Sequence, residues 1–129
     1  MLISVDFNSE TPIYEQLKEQ IVIGIASGAL KPGEKLPSIR QMAEDLGVNL
    51  HTINKAYNQL KADGLLANDR RKGAVVPSLP QKATARQKEE LQGKIKPLIA
   101  KAICYGLSKE EIQNMCNSLY DQITGGSDD

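Results

Sequence analysis

Apolar residues in the first half of the chain fall at helical spacing in three separate runs. Ile13, Leu17 and Ile21 recur every four residues, with Tyr14 and Ile25 beside them, which is the pattern of an amphipathic helix. Thr11-Pro12 reads as its start, a threonine to cap and a proline whose fixed φ suits the first helical position. Gly28 ends it, and Lys31-Pro32-Gly33 makes the turn that follows. The second run is Ile39, Met42, Ala43 and Leu46. Pro37-Ser38 opens it, and Ser38 and Gln41 have the S-x-x-Q spacing of a capping box, in which each side chain binds the other residue's backbone N–H. Gly47-Val48 breaks this helix. Asn49 then caps a third, whose inner face is Ile53, Ala56, Tyr57 and Leu60 and which closes at Asp63-Gly64. Two helices with matching inner faces, joined by a tight glycine turn, predict a helix-turn-helix.

The period then changes. Leu65-Leu66-Ala67 and Ala74-Val75-Val76-Pro77 flank the polar run Asn68 to Gly73, which predicts a small hairpin with a basic tip. Residues 2–7 alternate loosely and read as a short extended arm. Pro77 and Pro80 mark a boundary, because proline halts both a ladder and a helix. Helical spacing returns from about Ala83, with Leu91, Ile95, Leu98, Ile99 and Ala102 on one side. After Gly106, Ser108 and Glu111 form a second capping box leading into Ile112, Met115, Cys116, Leu119 and Ile123. The Gly-Gly-Ser-Asp-Asp tail is expected to lack order. The fold class is therefore mainly α with a small β wing: a winged helix-turn-helix domain over residues 1–77, then two C-terminal helices within residues 78–129. Two short helices with one apolar stripe each cannot bury that stripe alone. The stripe, Leu91, Ile95, Leu98 and Ile99 with Ile112, Met115 and Leu119, is expected to pack against a second subunit.

Composition narrows the classes. At 129 residues, with 40% hydrophobic and 25% charged residues, the chain fits an ordinary globular protein. Only 4% is aromatic and there is no Trp, so the core must be aliphatic. No apolar run approaches the ~18–20 residues that span a bilayer. The start, Met-Leu-Ile-Ser-Val-Asp-Phe, lacks the basic and apolar regions of a secretion signal, so a cytoplasmic protein without a membrane partner is expected. Cys104 and Cys116 belong to no CxxC pair and His51 is the sole histidine, so no metal site is expected and the thiols read as reduced and partly buried. No glycine-rich phosphate loop, nucleophile with a His–Asp pair, or conspicuous paired carboxylates stands out, so neither an enzyme nor a cofactor is expected. Glu89-Glu90 and Glu110-Glu111 lie near helix starts, where negative charge is favoured anyway. Lys+Arg total 16 and Asp+Glu total 16, and the pI is about 6.6. The balance is local too, with 9 of each sign up to Ser78 and 7 of each after it. A DNA-binding domain usually has a pI above about 9, so a nucleic-acid reading has to rest on a motif and on where charge sits.

Such a motif is present. In order, the chain carries Pro12-Ile-Tyr-Glu-Gln-Leu, Gly28-Ala-Leu-Lys-Pro-Gly-Glu-Lys-Leu-Pro-Ser-Ile-Arg40, Leu46-Gly-Val and Ala62-Asp-Gly-Leu. Over residues 11–77 this resembles the GntR family of bacterial regulators, and the short helical remainder resembles the YtrA-like subfamily. The resemblance implies a homodimer on a palindromic operator in double-stranded DNA, commonly as a repressor. It implies DNA-facing positions at Arg40, at Asn49, Leu50, His51, Thr52 and Asn54, and at the wing, Arg70, Arg71, Lys72 and Gly73. Many family members carry an arginine where this chain has Leu50. A leucine cannot donate two hydrogen bonds to guanine, so either base readout is redistributed or Leu50 touches a thymine methyl.

Plainer readings stand beside these. Arg40 is otherwise a solvated helix charge, Asn49 simply a helix cap, and the wing tip a solvated turn. Tyr14 and Tyr57 read as core, and Lys55 reads either way. A small-molecule effector is left open and unidentified, since the C-terminal residues offer little room unless a dimer interface supplies the walls. The rival to a DNA-binding regulator is a winged-helix protein-interaction module, which the neutral charge balance favours.

Overall fold

A computed structural model describes residues 3–79 and 82–125. The Gly-Gly-Ser-Asp-Asp tail beyond Gly125, Leu2 of the arm and Pro80 of the boundary lie outside the described residues. Helices α1 (Ile13–Ala26), α2 (Ile39–Leu46) and α3 (Leu50–Ala62) precede strands β1 (Ala67–Asp69) and β2 (Gly73–Val75), and helices α4 (Ala85–Cys104) and α5 (Lys109–Thr124) follow. The class is mainly α with one two-stranded antiparallel wing. Contacts divide the chain into two compact units, Met1–Leu79 and Pro80–Asp129.

The first unit holds an aliphatic core. Leu17 and Ile21 of α1 meet Met42 and Ala43 of α2 and Ile53, Ala56, Tyr57 and Leu60 of α3, all buried. Leu30, Leu36, Leu66 and Val76 close it from the connecting segments. Each buried Leu, Ile, Val or Met contributes about 1.5–3 kcal/mol by leaving water, which fixes the three helices against one another.

Three local expectations change. Thr11 does not cap α1; Pro12 takes the cap position, and its carbonyl accepts from the N–H groups of Glu15 and Gln16, both at 3.1 Å. The helix begins one residue later than the threonine can serve. Only half of the first capping box forms: Ser38 Oγ accepts from the Gln41 N–H at 3.0 Å, while the Gln41 amide donates forward to Asp45 Oδ1 at 2.7 Å. The wing strands also lie nearer the tip than the apolar pattern indicates, in the register Ala67↔Val75 and Asp69↔Gly73. Leu65 and Leu66 are taken by α3, since their N–H groups both donate back to the Leu60 carbonyl at 2.9 and 3.3 Å.

The wing has a third edge. Leu36 N–H donates to the Ala74 carbonyl at 2.9 Å and Val76 N–H to the Glu34 carbonyl at 3.0 Å, with Lys35 bridged to Val75. The segment before α2 is thus laid along β2. The N-terminal arm is held by two glutamines of α1. Gln16 accepts from the Asp6 N–H at 2.8 Å and donates to its carbonyl at 3.0 Å, and Gln20 treats Ser4 in the same way. Positions i and i+4 of a helix rise about 6 Å, close to the ~6.6 Å between i and i+2 of a strand, so the two amides match the arm's spacing.

The second unit has no buried residue in either helix. Leu91, Ile95, Leu98, Ile99, Met115 and Leu119 are exposed, and Ile112 is half-buried. Ser108 and Glu111 form the expected reciprocal capping box, and Thr84 with Gln87 forms another that the sequence reading passes over. Pro97 lies inside α4, where it removes one backbone donor. Cys104 and Cys116 are exposed rather than partly buried, because the helices that carry them enclose no core of their own.

Candidate nucleic-acid interface

The turn between α2 and α3 sets the geometry. Gly47 adopts φ 67°, its N–H donates to the Glu44 carbonyl at 3.3 Å, and Val48 N–H donates to the Ala43 carbonyl at 3.0 Å. This is the Schellman ending, and its left-handed residue is one where a side chain is strained. Asn49 follows in extended conformation, and its Oδ1 caps α3 by accepting from the His51 N–H at 2.8 Å. The new helix therefore starts after only three intervening residues, Gly47, Val48 and Asn49.

At about 100° per residue, Leu50, Asn54 and His51 share one arc of the first turns of α3. All three are exposed, as is Asn49. Thr52 falls on another flank and is half-buried, so the fold does not bring it to that arc. Arg40, in the first turn of α2, is exposed and borders the same open notch as Leu50, about 450 Å³ in volume, with Ala43, Glu44, Gly47 and Val48 as the other walls.

Two links hold α3 to α1, and neither is visible in the spacing of residues. Lys55 Nζ sits 3.8 Å from the centre of the Tyr14 ring, which gives that lysine a structural role in a cation–π pair. Lys18 Nζ donates to Gln59 Oε1 at 2.7 Å. A third link binds α3 to the start of α2. The Tyr57 hydroxyl donates to the Pro37 carbonyl at 2.7 Å, one residue before the Ser38 cap. Burial pushes the Tyr57 phenol up to about 12, so it stays a neutral donor. Sequence reading placed Tyr57 in the core but missed this link, which acts on Arg40 by fixing the turn that carries it.

The wing tip is also organised. Asp69 Oδ1 accepts from the backbone N–H groups of Arg71 at 2.8 Å and Lys72 at 3.0 Å, and these bonds hold its carboxyl below the usual range. Gly73 completes the turn at φ 85°. Arg70, Arg71 and Lys72 are exposed on this tip. Among the described residues the ion pairs are Lys18–Glu15 at 4.0 Å and Arg86–Glu90 at 3.2 Å, so neither Arg40 nor Arg70, Arg71 or Lys72 of the tip is engaged in one. No group of His, Cys, Asp and Glu able to hold a metal occurs among the described residues. No helix among them is long and apolar enough to cross a membrane.

A helix-turn-helix with an open arginine at its first helix, an exposed start to its second and a basic-tipped hairpin behind it defines a winged-helix DNA-binding domain. Comparison with known proteins gives the family. The model of the bacterial regulatory proteins of the gntR family matches residues 13–76. The chain is 30% identical over 126 residues to the HTH-type transcriptional repressor YtrA of Bacillus subtilis, covering 97% of each. The structure is similar to the crystal structure of a transcriptional antiterminator from Listeria monocytogenes EGD-e, with TM-score 0.86, 29% identity and coverage of 95% of this chain and 92% of that one. It is also similar to AraR(DBD) in complex with operator ORX1, with TM-score 0.52, 32% identity and coverage of 59% of this chain and 98% of that one. The chain belongs to the gntR family, in its YtrA-like form, and is a transcriptional regulator rather than an enzyme.

Proposed function

We propose that this regulator is a cytoplasmic repressor that binds a palindromic operator as a homodimer. The observation that carries the reading is the free, exposed Arg40 beside the exposed first turn of α3, with no carboxylate partner among the described residues. In this reading α3 enters the major groove by its N-terminal end, the usual docking of a recognition helix. Arg40 reaches a guanine edge or a phosphate, both of which suit its fork of donors. His51 and Asn54 contact base edges or phosphate from the same arc, with Asn49 beside them as the cap and Thr52 facing DNA from the adjoining flank of the same first turn. Arg70, Arg71 and Lys72, with Gly73 closing the turn, grip the backbone.

The dimer is supported by α4 and α5, whose apolar side chains are uncovered: Leu98 is 66% exposed and Leu91 57%. A two-fold partner covers that stripe and sets two wings and two recognition helices on a two-fold site. The repressor reading follows the relative in Bacillus subtilis, which is named one, and the operator reading follows the AraR complex. A balance of zero net charge favours a protein partner where basic groups are neutralised in pairs. Here the cationic groups at the interface are not so paired.

The test is affinity for DNA from upstream of the chain's own gene against a random duplex of equal length. Specific sites are bound about 10³–10⁷ times more tightly than random DNA by regulators of this kind, so a gap of at least 10³ is expected. Equal affinity for both duplexes would remove the reading.

A further inference from the structure

We infer that Leu50 reads a thymine in each operator half-site through the 5-methyl group of that base. The inference rests on the reading that the start of α3 enters the major groove, and deepens it. By phase Leu50 belongs to the edge of the α3 core stripe, three residues before Ile53, seven before Tyr57 and ten before Leu60. Residues at that phase are normally enclosed. Ile53 and Leu60 have 0% exposure, yet Leu50 retains 45%. The stripe therefore runs out of the core and onto the surface, where Leu50 overhangs the notch that it shares with Arg40, Ala43, Glu44, Gly47 and Val48. On the helix its outer neighbours, His51 and Asn54, are polar and exposed.

A single exposed leucine is ordinary on a protein surface. This one opens the helix that, in the function proposed above, enters the major groove, and its chemistry restricts what it can face. Leucine has neither donor nor acceptor. A guanine or adenine edge pressed against it would lose water from N7 with nothing in return, and a cytosine amine would lose a bond in the same way. Thymine is the base that presents a methyl group in the major groove. The two walls of the notch therefore differ in what they can meet. Leu50 covers the methyl while Arg40, on the other wall, supplies the charge that a neighbouring base or phosphate requires.

The experiment uses the full-length chain and duplexes it selects from a random-sequence pool. Each thymine of the selected half-site is replaced in turn by deoxyuridine, which removes the methyl and leaves the hydrogen-bonding edge unchanged. One position per half-site is expected to weaken binding about fourfold, the value of one buried carbon, and about sixteenfold when both halves are changed. The Leu50→Ala chain should bind the thymine site less tightly and be indifferent to the replacement. Selection with Leu50→Arg should move that position to guanine. Because Leu50 is half-open the variants should melt with the parent chain, and a thermal scan checks this. A wild-type chain that selects a defined sequence but ignores uracil everywhere refutes the methyl contact and leaves the DNA reading standing. Sensitivity that survives in Leu50→Ala assigns the methyl to a different residue and also refutes it. A pool in which no sequence is enriched overturns the inference together with the DNA reading.

Discussion

Tyr57 illustrates how a buried residue governs an exposed one. Its ring fills the core while its hydroxyl holds the Pro37 carbonyl at 2.7 Å, at the point where the chain turns into α2 and delivers Arg40. Tyr57→Phe leaves that carbonyl without its partner and should cost about 1–2 kcal/mol in urea unfolding at neutral pH. The pH dependence has a definite sign. The folded phenol is raised from 10.0 to about 12, so ionisation favours the unfolded chain and stability is lost as pH rises between those values. Each pH unit in that window removes about 1.4 kcal/mol from the parent, so the deficit of Tyr57→Phe should shrink and then reverse there. Asp69 has the opposite sign. Its carboxyl is held low by the Arg71 and Lys72 backbone N–H groups, so the ordered tip persists above the ordinary carboxylate range and loosens only as pH falls through the depressed value. Asp69→Asn keeps an oxygen acceptor and should retain DNA affinity, whereas Asp69→Ala should weaken binding on every duplex. Equal losses for the two would remove Asp69 from any role in shaping the tip.

The elements were legible where their logic is local. Ile53, Ala56, Tyr57 and Leu60 follow one helical period and all four are buried, and Asn49 caps α3 as its position and residue type foretold. Features built across long separations were not legible. Nothing in Gly33-Glu34-Lys35-Leu36 announces a third edge to the wing, because its partner lies some forty residues on at Ala74 and Val76. Gln16 and Gln20 look like solvated helix polars until the arm is laid beside them. Leu50 continues the core stripe by phase, and only the fold reveals that the core stops short of it. The α2–α3 turn makes the sharpest element-level prediction. At φ 67° a side chain at position 47 is strained, so Gly47→Ala should destabilise the first unit by about 1–2 kcal/mol. It should also weaken operator binding through the changed approach of α3. Calorimetry showing an unchanged melting temperature would contradict that account of the turn.

Across the whole molecule, neutrality and DNA binding are reconciled by placement. The chain has 16 basic and 16 acidic residues, yet Arg40, Arg70, Arg71 and Lys72 stand exposed without carboxylate partners among the described residues. Among the described residues the buried core lies in the first unit, while α4 and α5 leave their apolar stripe open. A chain ending at Leu79 should therefore fold, remain monomeric in sedimentation, and bind the full operator about 10²–10⁴ times more weakly than the dimer. A full-length chain that sediments as a monomer at micromolar concentration would oppose the two-fold arrangement. In the proposed complex Arg40 serves sequence readout while the wing serves the backbone. The direct measurement is the affinity of the parent, Arg40→Ala and Arg71→Ala for operator and random duplex across a salt series. Arg40→Ala should lose about 1–3 kcal/mol on the operator and little on random DNA. Arg71→Ala should lose affinity on both and flatten the salt slope by about 1 per subunit. Proportional losses on both duplexes for Arg40→Ala would contradict its place in readout, and no loss for either variant would contradict DNA as the partner.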